Sequence, residues 1–297
     1  MIGKIVKGIA GFYYVDVNQV GVYQCRARGI FRNQKIKPLI GDNVRIEVTH
    51  EQDMEGNVLE ILPRKNALIR PTVSNVDQAF VVFSVAHPEP NLNLLDRFLI
   101  AVMSKNIEAI ICFNKIDLLN SLDNEVVSMY KHAGYKVIMM SAVNDEQRHL
   151  EKRVERIEEM MKGKTTVFAG PSGVGKSTII NLIQEHTHME TGSISDKIKR
   201  GKHTTRHANL IPIDQQSYVV DTPGFSSLQL DDLEPEQVKE YFIEFASYEP
   251  MCKFAGCNHI NEPKCGVKEA LAAGDIHPVR YENYLHIYNE LKEKRKY

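Results

Sequence analysis

Residues 165–177, TTVFAGPSGVGKS, decide the fold of this chain. An apolar run typical of a buried strand leads into a glycine-rich loop, and the segment that follows, STIINLI, has the pattern of a helix. A strand, the motif GxxxxGKS and a helix in this order are the context in which a phosphate-binding loop forms. The sequence therefore predicts an α/β fold with a nucleotide phosphate site, and a glycine-rich turn without a ligand is the alternative.

The chemistry expected of this loop depends on its backbone and on two side chains. Backbone N–H groups and the helix N-terminus would surround the phosphates. Lys176 would reach the β- and γ-phosphate oxygens, which makes it a candidate catalytic residue, and Ser177 would ligate Mg²⁺. The predicted nucleotide contacts of the loop are Gly170, Pro171, Ser172, Gly173, Val174, Gly175, Lys176, Ser177 and Thr178.

A second motif, NKID, follows the apolar run EAIICF and points to guanine recognition. Ligands of open α/β sheets bind at the carboxyl ends of the strands. A carboxylate at Asp117 can accept hydrogen bonds from guanine N1–H and the exocyclic amine, whereas adenine lacks this pair of donors. A capped helix start is the alternative interpretation of the tetrapeptide. The predicted guanine site comprises Asn114, Lys115, Ile116 and Asp117, with Ser141 and Ala142 after the next strand supplying the backbone that reads guanine O6.

Two further segments are candidates for sensing the γ-phosphate. Asp221 ends the apolar run SYVVD close to the predicted magnesium ion, and Gly224 would place its N–H near the γ-phosphate. In residues 201–206, GKHTTR, Thr205 is the candidate second magnesium ligand. Many GTPases carry a water-orienting glutamine where this chain has Phe225, so His203 is the candidate catalytic residue that orients water. The alternatives are a simple strand-ending turn and a histidine that packs or contacts RNA.

The order of these motifs indicates a circular permutation. The guanine motifs precede the phosphate loop, although in other GTPases of the translation-factor-related class they follow the DTPG turn. The site can survive this rearrangement because each motif still follows its own strand. Since DTPGF leads directly into the carboxyl-terminal region, we expect the nucleotide state to be transmitted to that region.

Composition sets the outer limits of the interpretation. The chain has 297 residues, of which 43% are hydrophobic and 25% charged, as in ordinary globular proteins with two or three units. Its net charge of -1 excludes a general attraction to nucleic acid. No run is long enough to predict a membrane span or a signal peptide, so we expect a cytoplasmic protein. The predicted units are a β-barrel at 1–62, a linker at 63–75, the α/β GTPase unit at 76–229 and a mainly helical unit at 230–297.

The carboxyl-terminal unit contains the pattern C-x4-C-x-H-x5-C, formed by Cys252, Cys257, His259 and Cys265. Three thiols and one imidazole suit a closed tetrahedral zinc site with a structural role. A small helical unit would gain stability from one bound Zn²⁺. Reduced and buried thiols without a metal are the alternative.

Together, NKID, SA, GPSGVGKS, GKHTT, DTPGF and the Cys/His pattern closely resemble the family of ribosome small-subunit-dependent GTPase A (RsgA, or YjeQ), over essentially the whole chain. The resemblance implies an OB-fold barrel that contacts rRNA, and GTP hydrolysis that is stimulated by the small ribosomal subunit during its late assembly. It also implies one zinc ion on the four residues above and His203 as the candidate catalytic histidine. The implied partners are GTP, GDP, the small subunit and its rRNA; we expect a monomer with no membrane contact.

The barrel itself is hardly basic, with eight Lys and Arg against seven Asp and Glu in residues 1–62. Two local patches are the candidate RNA contacts, namely Arg26, Arg28 and Arg32, and the segment 192–207. Solvated loops are the alternative for both. The competing functions are a GTPase of the large subunit, a nucleotide-switched RNA-binding module with negligible turnover, and a P-loop ATPase, which Asp117 opposes.

Overall fold

A closed barrel forms the amino-terminal end of the chain. The computed structural model describes residues 1–28, 31, 36–119, 124–143, 147–191, 208–214, 216–221, 230 and 232–295. The barrel strands close in the order β1-β2-β3-β5-β4, which confirms the predicted OB-fold. Their bounds are β1 Ile2–Ile9, β2 Phe12–Val17, β3 Gly21–Ala27, β4 Asn43–His50 and β5 Glu55–Ile61.

The barrel strand β1 was not predicted from the alternation of apolar residues. The apolar-alternating runs FYYVDV, VGVYQC, NVRIEV and NVLEIL predict four barrel strands. They correspond to β2, β3, β4 and β5, whose inward residues alternate with outward ones. In β1 the register shifts between Ile5 and Lys7. Ile5 is buried in the barrel core and Val6 in the core of the central sheet, so buried and exposed residues do not alternate. Ile5, Val15 and Val44 contribute to the barrel core.

A six-stranded sheet carries the remaining strands of the central region, apart from a short hairpin of β6 Ala67–Leu68 and β7 Val73–Ser74. Its order is β10-β9-β8-β11-β13-β12, and only β12 runs antiparallel to its neighbour among these strands. The elements are β8 Gln78–Ser84, α1 Leu92–Met103, β9 Glu108–Asn114, α2 Glu125–His132, β10 Lys136–Met139, α3 Gln147–Met161, β11 Thr165–Ala169, α4 Lys176–Thr191, β12 Asn209–Pro212 and β13 Tyr218–Asp221.

Both faces of this sheet are covered by apolar side chains, as expected for parallel strands. Every residue of β8 is buried. On one face Phe83 meets Phe98 of α1 edge to face, with ring centroids 5.8 Å apart. On the other face Phe80 stacks on Phe168 at 5.2 Å. Because β10, β9, β8, β11 and β13 are parallel, their carboxyl ends lie together at one edge of the sheet.

The linker between barrel and sheet uses its charged residues for internal contacts. Asp42 is fully buried and accepts two hydrogen bonds from the Arg64 guanidinium, at 2.7 and 2.8 Å, and one from the Ser74 hydroxyl at 2.6 Å. Lys65 pairs with Asp77 at 3.0 Å. Two of the basic linker residues thus attach the barrel to the sheet.

The carboxyl-terminal region is mainly helical, as predicted. It consists of 3₁₀ segments and two α-helices around a core that includes Phe242, Phe245 and Tyr284. Among the helices that the structure describes, none is long and apolar enough to cross a membrane. The segments are Pro235–Tyr241, Ile243–Ser247 and Glu249–Met251, followed by α5 Gly266–Ala273 and α6 Pro278–Lys294.

A buried ion cluster joins this region to the sheet. Arg280 of α6 is 1% exposed, and it donates hydrogen bonds to Asp96 of α1 and to Glu244, the latter at 2.7 and 3.0 Å. The guanidinium also lies 4.4 Å from the Phe242 ring centroid. Tyr130 donates to Asp96 at 2.7 Å, so the carboxylate is satisfied from both sides. The cluster fixes α6 against the face of the sheet that α1 and α2 cover.

We expect Arg280→Met to destabilise the protein by about 3–5 kcal/mol, because it leaves Asp96 and Glu244 buried without their counter-ion. The measurement is the free energy of unfolding in urea. Arg45→Met is the matched control, since the Arg45–Glu60 pair lies on the barrel surface and should contribute less than about 1 kcal/mol. Equal losses in the two variants would contradict the prediction.

Candidate functional site

The glycine-rich loop joins β11 to α4 and passes very close to two neighbouring strands. At Gly170 φ is +137°, and a Cβ atom would lie 2.1 Å from the carbonyl oxygen of Val82 in β8. At Gly175 φ is +97°, and a Cβ atom would lie 2.2 Å from Asn114 Nδ2 at the end of β9. Both positions therefore require glycine for space as well as for backbone conformation.

One hydrogen bond connects the predicted guanine motif to this loop. Asn114 Nδ2 donates to the carbonyl oxygen of Val174 at 2.8 Å, across 60 residues of sequence. Asn114 is 2% exposed, and its Oδ1 atom has no hydrogen-bond partner among the described residues. Because the Asn114 amide reaches the loop and makes no helix cap, the structure disfavours a capped helix start at NKID.

The rest of the loop offers polar groups at the surface. Val174 is buried in the core beneath the loop, whereas Ser172, Ser177 and Thr178 are exposed. The first N–H groups of α4 have no intrahelical acceptors, which makes the start of the helix favourable for an anion. Lys176 Nζ donates to the carbonyl oxygens of Gly170 and Pro171 at 2.8 and 2.6 Å, so its charge lies over the loop. Burial lowers the pKa of Lys176.

Asp117 and Ser141 come from different loops and meet in the structure. The Ser141 hydroxyl donates to Asp117 Oδ1 at 2.8 Å, and Asp117 is exposed at the start of the 3₁₀ turn Ile116–Leu118. Lys115 adopts a left-handed conformation, with φ of 63°. Ile116 and Ala142 are buried beneath these polar groups. The predicted guanine readers thus form one surface beside the phosphate loop.

Sequence reasoning missed the segment that supports this surface. The N–H of Val85 donates to the carbonyl oxygen of Asn114 at 3.0 Å, and Lys115 Nζ donates to the carbonyl oxygen of His87 at 2.5 Å. Ser84 Oγ also donates to the His87 carbonyl, at 3.0 Å. These contacts use mainly backbone atoms, so no spacing of residue types could have indicated them.

Asp221 is the last residue of β13 and is exposed. Since β13 is parallel to β11 and adjacent to it, Asp221 lies at the same edge of the sheet as the phosphate loop. Three other predicted site residues, His203, Thr205 and Gly224, lie outside the described residues, as do Phe225 and Arg32.

The structure brings the four predicted zinc ligands together. Their ligand atoms all lie within 4.8 Å of one another. His259 Nδ1 is 3.3 Å from Cys265 Sγ and 3.6 Å from Cys252 Sγ, and these two sulfur atoms are 3.9 Å apart. Ligands that surround a zinc ion tetrahedrally at their usual bond lengths lie roughly 3.3–3.8 Å from one another. The cluster is therefore compatible with a metal ion of this size.

Other residues of the unit hold these ligands in place. The backbone at His259 is left-handed with φ of 59°, and its carbonyl oxygen accepts a hydrogen bond from the Tyr281 hydroxyl at 2.6 Å. The Glu262 carboxylate accepts from the N–H groups of Asn258 and Ile260 at 2.9 and 2.8 Å. Lys239 donates to the Cys257 carbonyl at 3.0 Å. The ligand loop is thus held by hydrogen bonds within it and by longer-range hydrogen bonds from Tyr281 and Lys239.

Burial acts on the ionisation of the cluster. It raises the pKa of the Cys257 thiol to about 12 and lowers the pKa of His259. A neutral imidazole is the form that binds metals, and a divalent cation would favour the thiolate that burial opposes. The neutral imidazole and the three sulfur atoms therefore form a donor set that a divalent cation fits.

We expect Gly175→Ala to raise the Kd for GTP and GDP at least about tenfold, because the new methyl group would displace Asn114 or the loop. Titration with a fluorescent guanine nucleotide measures this change. Gly163→Ala is the matched control: its φ is +71° with no atom within 4 Å of the added Cβ, so it should cost about 1 kcal/mol of stability without affecting binding. Similar affinities in both variants would argue against the close approach.

Comparison with known proteins gives the same fold. The crystal structure of YloQ, a circularly permuted GTPase, superposes with a TM-score of 0.80 at 39% identity, over 99% of this chain and 95% of that chain. YjeQ from Thermotoga maritima gives a TM-score of 0.81 at 35% identity, over 98% of each chain. The permuted GTPase fold predicted from the motif order is thereby confirmed.

Relatives of similar length extend this likeness to the whole sequence. The small ribosomal subunit biogenesis GTPase RsgA of Agathobacter rectalis is 52% identical over 100% of both chains. Its counterpart in Alkaliphilus metalliredigens is 52% identical over 99% of each chain. The sequence profile of the RsgA N-terminal domain matches residues 2–57, and that of the RsgA GTPase matches residues 61–231. The chain belongs to the RsgA GTPase family.

Proposed function

We propose that this protein hydrolyses GTP on the small ribosomal subunit and acts in late assembly of that subunit. In this proposal the small subunit stimulates GTP turnover. The observation that carries the proposal is the hydrogen bond from Asn114 to the phosphate loop, which joins a guanine-reading surface to a phosphate site. Relatives that are 45–52% identical over the full chain are small ribosomal subunit biogenesis GTPases, and this supports the choice of partner.

In this proposal Asp117 reads guanine through its N1–H and exocyclic amine, while the backbone at Ser141 and Ala142 reads O6. The Ser141 hydroxyl supports this role because it orients the carboxylate. Lys176 would turn from the loop carbonyls to the β- and γ-phosphates, where its charge stabilises the transition state. Adenine would offer the Asp117 carboxylate neither of these two donors.

Mg²⁺ is the proposed cofactor of hydrolysis, and it would neutralise phosphate charge when bound. The exposed Ser177 hydroxyl, with the Asp221 carboxylate at the same edge of the sheet, offers the hard oxygen atoms that this ion prefers. Thr205 is the proposed second ligand and Gly224 the proposed γ-phosphate contact. His203 is proposed to orient the attacking water.

We also propose the unit boundaries 1–62, 63–75, 76–229 and 230–297, with the barrel as the rRNA-binding unit of a monomeric cytoplasmic protein. The Arg26 guanidinium lies 4.9 Å from the Phe12 ring centroid, and such a cation–aromatic pair on a barrel surface suits a nucleic-acid contact. Arg28 is instead paired with Glu47. This difference favours Arg26 over Arg28 as an rRNA contact.

The first test is phosphate release from GTP by the purified protein, alone and with isolated small or large ribosomal subunits. We expect the small subunit alone to raise turnover, by at least about tenfold. Lys176→Ala should abolish the stimulated rate and serves as the control for contaminating GTPases. Stimulation by the large subunit would support the competing ribosomal function, and binding of GTP without turnover would support a nucleotide-switched RNA-binding module.

The second test concerns one structural Zn²⁺ held by Cys252, Cys257, His259 and Cys265. We expect about one zinc per chain by elemental analysis of the desalted protein. Cys265→Ser should lose the metal and destabilise the carboxyl-terminal unit, because the binding free energy of a structural zinc contributes to folding. Cys25→Ser, in the barrel core, is the matched control and should retain it. A wild-type protein without zinc would refute the assignment.

A further inference from the structure

Along the sequence, the hairpin of β12 and β13 comes between the two segments predicted to sense the γ-phosphate. β12 begins at Asn209, shortly after residues 201–206, and β13 ends at Asp221. The strands pair antiparallel, with Leu210 opposite Val220 and Pro212 opposite Tyr218. A displacement of this hairpin would therefore move β13, the strand that ends at Asp221.

The barrel holds this hairpin through a polar contact. The Tyr218 hydroxyl donates to Asp16 Oδ2 of β2 at 2.7 Å, across 202 residues of sequence. Lys4 faces Asp16 in the β1–β2 pair, and its Nζ lies 5.8 Å from the Tyr218 ring centroid. Tyr218 is 5% exposed, and burial together with the Asp16 carboxylate raises its pKa. The hydroxyl therefore keeps its proton and remains a donor at neutral pH.

Apolar packing surrounds the same contact. Val6 of β1 belongs to one buried cluster together with Leu210, Tyr218 and Val220 of the hairpin, and Tyr14 of β2 packs against that cluster. The outer surface of the barrel and the inner surface of the hairpin thus share a core. Because packed cores resist continuous deformation, displacement of the barrel would be passed to the hairpin.

We propose that Asp16 and Tyr218 are positioning residues that transmit engagement of the barrel by the small subunit to Asp221. This inference rests on the proposed function, since the small subunit is the stimulating partner. Tyr218 begins β13 and Asp221 ends it, so an extended segment of about 10 Å connects the barrel contact with the catalytic edge. The Asp16–Tyr218 hydrogen bond joins one end of this segment to the barrel, so that engagement of the barrel reorients Asp221 at the other end. Without the subunit, the pairing of β13 with its neighbours in the sheet holds Asp221.

The test compares Tyr218→Phe, Asp16→Ala and the double variant in GTP hydrolysis with saturating small subunits. Each single change should lower the stimulated kcat about threefold to tenfold, without altering the basal rate or KM. The double variant should lose no more than either single one, because both remove the same hydrogen bond. Asp16→Asn should retain stimulation, because its amide oxygen can still accept from Tyr218.

Tyr135→Phe is the matched control, since it removes a buried tyrosine hydroxyl that donates to the Tyr241 carbonyl at 2.9 Å, at the other interface of the sheet. Its stimulation should equal that of the wild type. Co-sedimentation with small subunits checks that Tyr218→Phe and Asp16→Ala still bind, as the proposal requires.

Three results would overturn the inference. Full stimulation of both single variants would exclude a positioning role while leaving the proposed function intact. Loss of subunit binding would show that the contact only maintains the fold. A fall in basal activity together with a change in KM would show the same. A wild-type protein that neither ribosomal subunit stimulates would overturn the proposed function, and the inference with it.

Discussion

The hydrogen bond from Asn114 to the Val174 carbonyl is the contact on which the proposed nucleotide site depends. It joins the end of β9 to the loop after β11, and Gly175 allows the two to approach because any side chain there would collide with the Asn114 amide. In a parallel sheet all strands end at one edge, so the site depends on which loops meet there and not on their order along the chain. This geometry explains how a permuted chain retains a GTPase site.

Buried polar contacts attach the outer units to this sheet. The Arg280 cluster fixes the carboxyl-terminal helix α6 to α1, while Asp42 and Arg64 fix the barrel to the linker. Removing one member of such a cluster is expensive, because the remaining charges stay buried. The two ends of the chain are therefore docked on the sheet at defined positions, and the barrel meets the β12–β13 hairpin that leads to Asp221.

The metal cluster has a different relation to the fold. Its ligands lie on a loop with little regular structure, and Tyr281 of α6 binds the carbonyl of His259. The same helix carries Arg280, which reaches the sheet. A metal ion on the four ligands would thus stabilise the loop that Tyr281 contacts, while the neighbouring Arg280 joins the same helix to α1.

The sequence by itself determined the parts of this protein in which residues act through local spacing. The phosphate loop, NKID, the Cys/His pattern, the permuted order and four barrel strands could all be predicted from short segments. Tertiary structure alone decided what depends on distant partners: the Asn114 contact, the support from Val85 and His87, the use of Arg64 and Lys65 in internal ion pairs, and the docking of Tyr218 on Asp16. The strand β1 was missed because Ile5 and Val6 are buried in different cores on its two faces, so its apolar residues do not alternate. A pattern records the neighbours of a residue along the chain, whereas these contacts join residues that only folding brings within hydrogen-bond distance.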